Sequence, residues 1–356
     1  MTTAEIDIAK AEAFGGQMMG VINNGMLALM VSVGHQTGLF DIMASLPPST
    51  SAEVARATGL NERYVREWLG AMATGGVVEY DAARRAYRLP PEHAASLTRA
   101  AGPGNLANMM QFIPLLGDVE ADLVACFRNG GGVPYARFPK FQMLMAELSA
   151  ATYDATLIDV TLPLVPGLVA RLNEGVDVAD VGCGSGHAIN VMAKAFPKSR
   201  FTGVDFSEEG IAAGRNEARA LGLSNTTFEV KDAATLSGPA RFDFITTFDS
   251  VHDQAHPDRM LAGIAASLRP GGAYLCVDVA ASSNLDENLN HPLGPMMYTV
   301  STAHCMTVSL ALGGMGLGAM WGEQKAHEMI TAAGFKKIET AHVEGDFFNN
   351  YYVATR

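Results

Sequence analysis

The sequence predicts an α/β protein in which a helical N-terminal half precedes an open, doubly wound sheet. Three observations predict this division. Helix-forming segments dominate the first 172 residues, short β-type runs alternate with helix-type runs after that point, and a chain of 356 residues can bury two cores. The composition, 48% hydrophobic and 17% charged, is typical of a globular enzyme and excludes a disordered chain.

The N-terminal segment, residues 4–45, contains helix formers with apolar positions on more than one face, and residues 13–40 contain no Asp, Glu, Lys or Arg. A helix that is apolar all round must be covered by other protein. We therefore expect a homodimer that buries this helix. Glu5 and Asp7 stand where a secretory signal carries positive charge, so we expect a cytoplasmic protein that is not exported.

Residues 49–90 predict a winged helix. A short helix ends at Gly59, Asn61 caps a second helix, and a hairpin over residues 77–89 forms the wing. Helical connecting segments follow. We divide the chain into a helical and winged-helix dimerisation domain at 1–95, a helical connecting region at 96–172, and a sheet domain at 173–356.

The charge of the chain argues against a nucleic-acid partner. The formal net charge is −12, and between residues 50 and 90 six arginines face five acidic residues. The second helix of the winged helix carries Glu62 and Glu67 beside Arg63 and Arg66, whereas a DNA-binding helix is expected to present a basic stripe. We expect the winged helix to be a dimerisation module.

The C-terminal half predicts a Rossmann-like sheet, because strand-like and helix-like runs alternate. Its helices are predicted at residues 186–195, 208–221, 258–268 and 323–333. Its strands are predicted at residues 176–181, 200–204, 227–230, 242–247 and 273–279, with two more at residues 334–340 and 351–355.

The loop after the first of these strands, Asp180-Val-Gly-Cys-Gly-Ser-Gly186, is the clearest motif of the chain. Ligands of open parallel sheets bind beyond the carboxyl ends of the strands, and glycines let the backbone approach them closely. A dinucleotide fingerprint needs a further glycine where residue 187 is histidine, and the Gly-Lys-Ser/Thr of a phosphate loop is absent. The opening carboxylate of Asp180 suits a ligand with an ammonium group and would repel a pyrophosphate.

This pattern resembles motif I of the class I S-adenosylmethionine-dependent methyltransferases, and residues 176–356 carry the rest of that family's pattern in order. The resemblance implies a seven-stranded class I sheet and S-adenosyl-L-methionine as the cofactor. It implies that Asp205 binds both ribose hydroxyls and that Asp232 and Ala233 contact the adenine. The cofactor-binding residues that it implies are Asp180, Gly182, Cys183, Gly184, Gly186, Asp205, Phe206, Asp232, Ala233, Phe248 and Asp249.

The residues after the fourth strand, Asp249-Ser-Val-His252-Asp253, are similar to the His-Asp of plant-type and polyketide O-methyltransferases, which pair this fold with a dimerising winged helix. The resemblance implies that His252 is the general base for an acceptor hydroxyl and that Asp278 orients it. The family's second flanking acid aligns near Met320, and Glu323 lies three positions later. Methylation of nitrogen or sulfur by positioning alone is the alternative.

Residues 288–322 contain no Asp, Glu, Lys or Arg, but prolines and glycines interrupt them, so we expect a buried or pocket-lining segment and no membrane span. The sequence from Tyr298 to Glu323 looks like that of actinobacterial and mycobacterial winged-helix methyltransferases, which are often described as regulators. Its methionines suit an adaptable apolar pocket or a plain core. His304 and Cys305 either face the substrate or, as we expect, are buried with their hydrogen bonds satisfied.

We therefore expect a methyltransferase that acts on a small, largely apolar acceptor, at a hydroxyl. A transcription regulator that senses S-adenosylmethionine and an inactive scaffold with the same fold are the alternatives. No metal site is expected, because the four cysteines show neither zinc nor redox spacing.

Overall fold

The computed structural model describes residues 6–356, and the chain divides into two compact units, Met1–Gly117 and Asp118–Arg356. Residues 1–5 lie outside the described residues, and with them lies part of the stretch on which the expectation about export depends. The predicted connecting region, residues 96–172, is shared between the two units, and the three-part division stays a prediction. The four cysteines are free thiols.

The first unit consists of helices and one antiparallel hairpin. Its elements are α1 (Ile8–Gln36), α2 (Leu39–Met43), α3 (Ser51–Thr58), α4 (Glu62–Thr74), β1 (Glu79–Asp81), β2 (Ala86–Arg88), α5 (Pro91–Ala94), a 3₁₀ turn (Arg99–Gly104), α6 (Leu106–Met109) and α7 (Phe112–Gly117).

The helix-turn-helix and wing follow the sequence prediction. Thr50 begins α3 with a capping box that includes Glu53, and Gly59 ends it in the left-handed conformation, at φ 69°. Asn61 caps α4 by accepting a hydrogen bond from the backbone N–H of Arg63. The apolar faces of both helices meet in a core around Trp68.

Only the C-terminal end of α1 is packed within the first unit. There, Trp68 Nε1 donates a hydrogen bond to the carbonyl of Met30 at 2.8 Å, and Gly34 leaves room for the rings of Trp68 and Phe40. The rest of the helix leaves large apolar side chains exposed, among them Phe14 at 59% and Met26 at 65%. By length and composition, α1 is the one unbent helix of residues 6–356 that could cross a membrane.

The second unit contains the seven-stranded sheet that the sequence predicts. The strand order is β5-β4-β3-β6-β7-β9-β8; β9 lies antiparallel between β7 and β8, and the other neighbours are parallel. The strands are β3 (Asp177–Val181), β4 (Arg200–Asp205), β5 (Thr226–Val230), β6 (Phe242–Phe248), β7 (Leu268–Val279), β8 (Lys337–Ala341) and β9 (Asn349–Thr355).

Helices cover both faces of this sheet, and each face has its own apolar core. The helices are α8 (Glu120–Asn129), α9 (Phe141–Thr152), α10 (Leu168–Glu174), α11 (His187–Ala195), α12 (Glu208–Ala220), α13 (Pro257–Ser267), α14 (Leu285–Asn288), α15 (Gly294–Val300), α16 (Met306–Ala311) and α17 (Gly322–Ala332). Short 3₁₀ turns lie at Tyr135–Arg137, Leu162–Leu164, Ala233–Thr235 and Ala319–Trp321, and π-helical turns at Tyr153–Thr161 and Ser301–Cys305.

Candidate cofactor and acceptor site

The glycine-rich loop connects β3 to α11 at the carboxyl edge of the sheet, and close packing makes two of its glycines necessary. Gly182 has a φ of 76°, and a Cβ there would lie 2.6 Å from the side chain of Ser250. Gly186 has a φ of 70°, and a Cβ there would lie 2.3 Å from the ring of Phe228. Both positions combine a left-handed backbone with a contact that excludes a side chain, so only glycine fits.

Asp180, at the end of β3, is a buried carboxylate with a single hydroxyl partner. Its side chain is 2% exposed and accepts a hydrogen bond from Thr246 Oγ1 at 2.9 Å. Burial raises the pKa of Asp180 to about 7, against the lowering effect of the Thr246 hydroxyl, and the nearby charge of Asp205 adds to the rise. A cation beside this carboxylate would stabilise its charged form.

Asp205, at the end of β4, ties the glycine-rich loop to the next strand. One carboxylate oxygen accepts from the backbone N–H of Gly184 and the other from that of Ser207, both at 2.8 Å. Burial still raises the pKa of Asp205, although these bonds lower it. Each carboxylate oxygen has a second lone pair, so Asp205 keeps the capacity to accept from two hydroxyls.

The remaining residues of the predicted cofactor site lie at the same edge of the sheet. Asp232 follows β5 and accepts from the N–H of Ala234 at 2.8 Å, and Ala233 is buried beside it. Phe206 is 52% exposed, and Phe248 packs its ring 5.0 Å from that of Tyr153. The structure thus brings the predicted residues to the ends of four adjacent strands, β3 to β6.

Cys183 lies between the glycines of the loop and is a partly buried thiol. Burial raises its pKa well above the ordinary value, and the charges of Asp180 and Asp205 raise it further. The thiol is therefore protonated and is not a reactive thiolate.

Asp249, directly after β6, has an unusual backbone conformation. Its φ is 48°, and its N–H donates to the carbonyl of Val277 at 2.9 Å. Positive φ is rare for residues other than glycine and often occurs at functional sites. Burial and the charge of Asp278 raise the pKa of Asp249 to about 7, against the effect of His252.

His252 and Asp278 form a buried pair between the turn after β6 and the end of β7. His252 Nδ1 lies 2.6 Å from Asp278 Oδ1, and the two side chains are 4% and 0% exposed. Burial lowers the pKa of His252, but the charge and hydrogen bond of Asp278, together with the Cys305 thiol, outweigh it, and the pKa is raised well above its ordinary range. The imidazole is a strong base that Asp278 holds by one nitrogen.

Trp321 completes this pair, and sequence reasoning missed it. Trp321 Nε1 donates to Asp278 Oδ1 at 3.1 Å, and the N–H of Val279 donates to the same oxygen at 2.8 Å. Glu323, by contrast, pairs with His327 at 3.7 Å. An indole therefore lies beside the Asp278 carboxylate, close to the position where the family resemblance implies a second acid. Asp253 is a further acidic group here, with a pKa raised by burial to about 6.

His304 corrects one expectation from the sequence. It is buried as expected, but neither of its ring nitrogens has a hydrogen-bond partner. Its ring stacks on that of Phe141, with 3.5 Å between centroids, and the rings of Phe138 and Tyr135 meet it edge-on at 4.7 and 5.8 Å. Burial lowers the pKa of His304 to about 3, and the charge of His252 contributes. The imidazole is neutral.

A polar cleft at the opposite edge of the sheet is a weaker candidate. Its arginines are paired, since Arg200 contacts Asp177 at 2.7 Å and Arg269 bridges Asp177 and Asp243 at 2.8 and 2.6 Å. Residues 6–356 contain no group of three His, Cys, Asp or Glu side chains that could hold a metal ion. The carboxyl edge of the sheet remains the candidate site.

Two family descriptions match this chain. Residues 25–99 match the Rv2258c-like winged HTH domain, and residues 172–334 match the family described as Methyltransferase domain. The first match contains the helix-turn-helix and wing, and the second contains the glycine-rich loop, His252 and Asp278.

Among curated proteins, the fatty-acid O-methyltransferase of Mycolicibacterium smegmatis is 33% identical over 115 residues, which are 32% of this chain and 41% of that protein. This chain thus spans less than half the length of that relative. Among solved structures, the mitomycin 7-O-methyltransferase MmcR has a TM-score of 0.75 at 17% identity, and covers 98% of this chain and 100% of its own.

Human N-acetylserotonin methyltransferase, solved in complex with SAM, has a TM-score of 0.68 at 16% identity, with 99% of each chain covered. At such identities the likeness shows the fold. It confirms the predicted class I sheet with its helical N-terminal domain.

Proposed function

We propose that this chain, in which a winged HTH domain precedes a methyltransferase domain, transfers a methyl group from S-adenosyl-L-methionine to a hydroxyl of a small, largely apolar acceptor. The observation that carries the proposal is the buried pair of His252 and Asp278 beside the glycine-rich loop, with 2.6 Å between Nδ1 and Oδ1. A base held in this way next to a cofactor loop suits removal of a hydroxyl proton.

The charge of the site supports a cationic cofactor. Burial raises the pKa values of Asp180, Asp205, Asp249 and Asp253, so several carboxylates that disfavour their own ionisation share this region, with His252 as the cation that acts on Asp249 and Asp253. S-adenosylmethionine, when bound, supplies a methyl group on a positively charged sulfur and also carries an ammonium group. The donor set therefore fits this cofactor and would repel a polyphosphate.

The residues that would hold the cofactor follow from their chemistry. Asp180 would accept from the ammonium group, Asp205 from the ribose hydroxyls, and Asp232 from the adenine amine. Gly182, Cys183, Gly184 and Gly186 would let the backbone approach it. The side chains of Phe206, Ala233, Phe248 and Asp249 would line the rest of the site.

His252 would act as the general base on the acceptor. Asp278 accepts from Nδ1, so Nε2 is the nitrogen left to remove the proton of a hydroxyl. Asp278 stabilises the imidazolium that this step creates, because its carboxylate is buried beside the ring. The proton then resides on Nε2, and the acceptor oxygen is free to attack.

Methyl transfer to a panel of small phenols tests the proposal, with release of S-adenosylhomocysteine as the readout. The substitution His252→Gln should reduce turnover by about 10²–10⁴-fold, since general-base catalysis contributes that much, while the Kd for S-adenosylhomocysteine stays the same. Turnover by His252→Gln equal to that of the wild type would favour methylation of nitrogen or sulfur by positioning alone. Failure of the wild type to bind S-adenosylhomocysteine would refute the function and favour an inactive scaffold.

A regulator that binds DNA is the second candidate, and the ion pairs of the winged helix argue against it. Four arginines of the winged helix pair with acidic side chains, among them Arg66, 3.4 Å from Glu62, and Arg88, 3.6 Å from Glu79. Paired arginines leave little positive potential for phosphates. We propose instead that the N-terminal unit serves a cytoplasmic homodimer, because the exposed apolar side chains of α1 need a cover.

A further inference from the structure

His304 is a buried side chain in the acceptor region whose hydrogen bonding the proposed function leaves unexplained. Its side chain has no exposed surface, and neither Nδ1 nor Nε2 has a partner. Buried polar side chains are nearly always paired, so an exception needs a physical reason. A neutral imidazole has one donor and one acceptor nitrogen, so His304 has both kinds unused.

The backbone that carries His304 is irregular. The residue lies in the π-helical turn Ser301–Cys305, between α15 and α16. Such turns are rare and are often found at functional sites. The next residue, Cys305, acts on His252 through its thiol, and the charge of His252 acts on His304. Ser301 of this turn lies against Gly318, whose N–H donates to the carbonyl of His252 at 3.1 Å, so the turn packs near the proposed base.

The surroundings of His304 are aromatic. Phe141 covers one face of the imidazole, and Phe138 and Tyr135 meet it edge-on. Tyr135 also meets the ring of Phe206, 5.8 Å away, at the end of β4. The cluster thus extends from the predicted cofactor site to His304, and aromatic side chains of this kind favour a flat ligand.

We propose that His304 recognises the acceptor: a ring nitrogen of His304 hydrogen-bonds to a second oxygen substituent of an aromatic acceptor whose methylated hydroxyl faces His252. This inference rests on the proposed function and specifies its substrate class as an aromatic diol or hydroxy-carbonyl compound. Because the nitrogens of His304 have no exposed surface, the acceptor reaches them when a covering ring, that of Phe141, is displaced. His304 is a positioning residue and takes no part in the proton transfer.

Binding of two probes to the protein saturated with S-adenosylhomocysteine tests this inference by calorimetry. The probes are 2,3-dihydroxynaphthalene and 2-naphthol, which differ by one hydroxyl. The wild type should bind the diol roughly tenfold more tightly, as expected for one hydrogen bond to a buried partner. His304→Phe, which keeps a ring in the stack, should abolish the difference and leave the Kd of 2-naphthol unchanged. His304→Asn should restore part of it.

His327→Phe is the matched control, because His327 hydrogen-bonds to Thr340 outside the cluster. It should change neither Kd. Equal affinities of the wild type for the two probes, binding of neither, or an unchanged preference in His304→Phe would overturn the inference. Failure of the wild type to bind S-adenosylhomocysteine would instead refute the proposed function. The protein is titrated with S-adenosylhomocysteine before the probes are added, so failure of the proposed function is distinguished from failure of this inference.

Discussion

The indole Nε1 of Trp321 donates a hydrogen bond to Asp278 Oδ1 at 3.1 Å, on the same oxygen that faces His252. The carboxylate that orients the proposed base is therefore itself oriented by an aromatic side chain from the Ala319–Trp321 turn. Partners of this kind fix the rotamer of a functional group without touching the substrate.

Replacement of this indole should change the pH dependence of turnover. Trp321→Phe removes a donor that withdraws charge from Asp278 Oδ1, so the carboxylate attracts the proton of His252 more strongly. We expect the pKa of His252 to rise further and the rising limb of the rate profile to move to higher pH. We also expect kcat to fall, by up to about 10²-fold, because the base is positioned less precisely. A profile identical to that of the wild type would assign Trp321 to packing alone.

Asp278→Asn should move the rising limb of the pH–rate profile to lower pH, opposite to the effect of Trp321→Phe. The charge of Asp278 raises the pKa of His252, so its removal lowers that pKa and deprotonates the base at lower pH. Turnover on the plateau should nevertheless fall by about 10²–10⁴-fold, because an amide no longer stabilises the imidazolium. Rate profiles over a range of pH values, with S-adenosylhomocysteine affinity as the control, check both effects; a limb that moves upward contradicts the assignment.

Asp180→Asn should stabilise the fold while it weakens cofactor binding. The pKa of Asp180 in the folded state, about 7, lies above its ordinary value. Ionisation of the buried carboxylate therefore lowers the stability of the fold, fully above pH 7. The loss disappears at low pH, where the carboxyl is protonated in both the folded and the unfolded state. We expect the free energy of unfolding to increase by about 1–3 kcal/mol at pH 8.

Chemical denaturation at pH 8 and pH 4 measures this difference, which should be near zero at the lower pH. S-adenosylhomocysteine binding at pH 8 should be weakened at least tenfold, since a charge-assisted hydrogen bond is lost. A variant that binds the ligand as tightly as the wild type would remove Asp180 from the proposed site.

Gly182→Ala should disrupt the cofactor loop more than Gly184→Ala does. Both glycines have positive φ, so both variants carry backbone strain, but a Cβ at Gly182 also meets Ser250 at 2.6 Å, whereas one at Gly184 meets only Gln142, at 3.7 Å. Compared with Gly184→Ala, Gly182→Ala should lose about 1–3 kcal/mol more in the free energy of unfolding or of S-adenosylhomocysteine binding, because overpacking usually costs this much. Equal losses would show that the contact with Ser250 relaxes freely.

A charge on the exposed face of α1 should dissociate the proposed dimer. Ile22 is 53% exposed within the chain, so Ile22→Glu should fold normally and sediment as a monomer. Leu221→Glu, on a surface residue of the second unit that is 44% exposed, is the matched control and should leave the mass unchanged. A monomeric wild type in sedimentation equilibrium would contradict the dimer, and binding of the wild type to lipid vesicles would identify a membrane as the cover of α1.

The fold, and the edge of the sheet that holds the candidate site, could be predicted from the sequence because both depend on local patterns. Asp180 and Asp205 come directly at strand ends, and parallel strands bring their carboxyl ends together. His252 and Asp278 are 26 residues apart, yet each follows or ends a strand of the same sheet, so the family resemblance could assign them. Their roles stay predictions.

The contacts of Trp321 and His304 could not be predicted in the same way. Trp321 reaches Asp278 from 43 residues away in sequence through a short 3₁₀ turn, for which the residues around it carry no periodic signal. His304 looked like an ordinary buried histidine, because its lack of partners depends on three rings from residues 135–141. Both contacts arise from tertiary packing between segments that are distant in sequence.

The π-helical turn that carries His304 also bears on how such an enzyme changes its acceptor over evolution. A π turn holds one residue more than an α-helical turn over the same length of axis. Deletion of one residue from Ser301–Cys305 would restore a regular helix and keep the flanking segments in register, while the residues of the turn itself would take new positions around the axis. Loss of a single codon would then withdraw the imidazole from the aromatic cluster and present a neighbouring side chain there. Changes in segment length thus offer descendants of this protein a route to new acceptors that point substitutions do not.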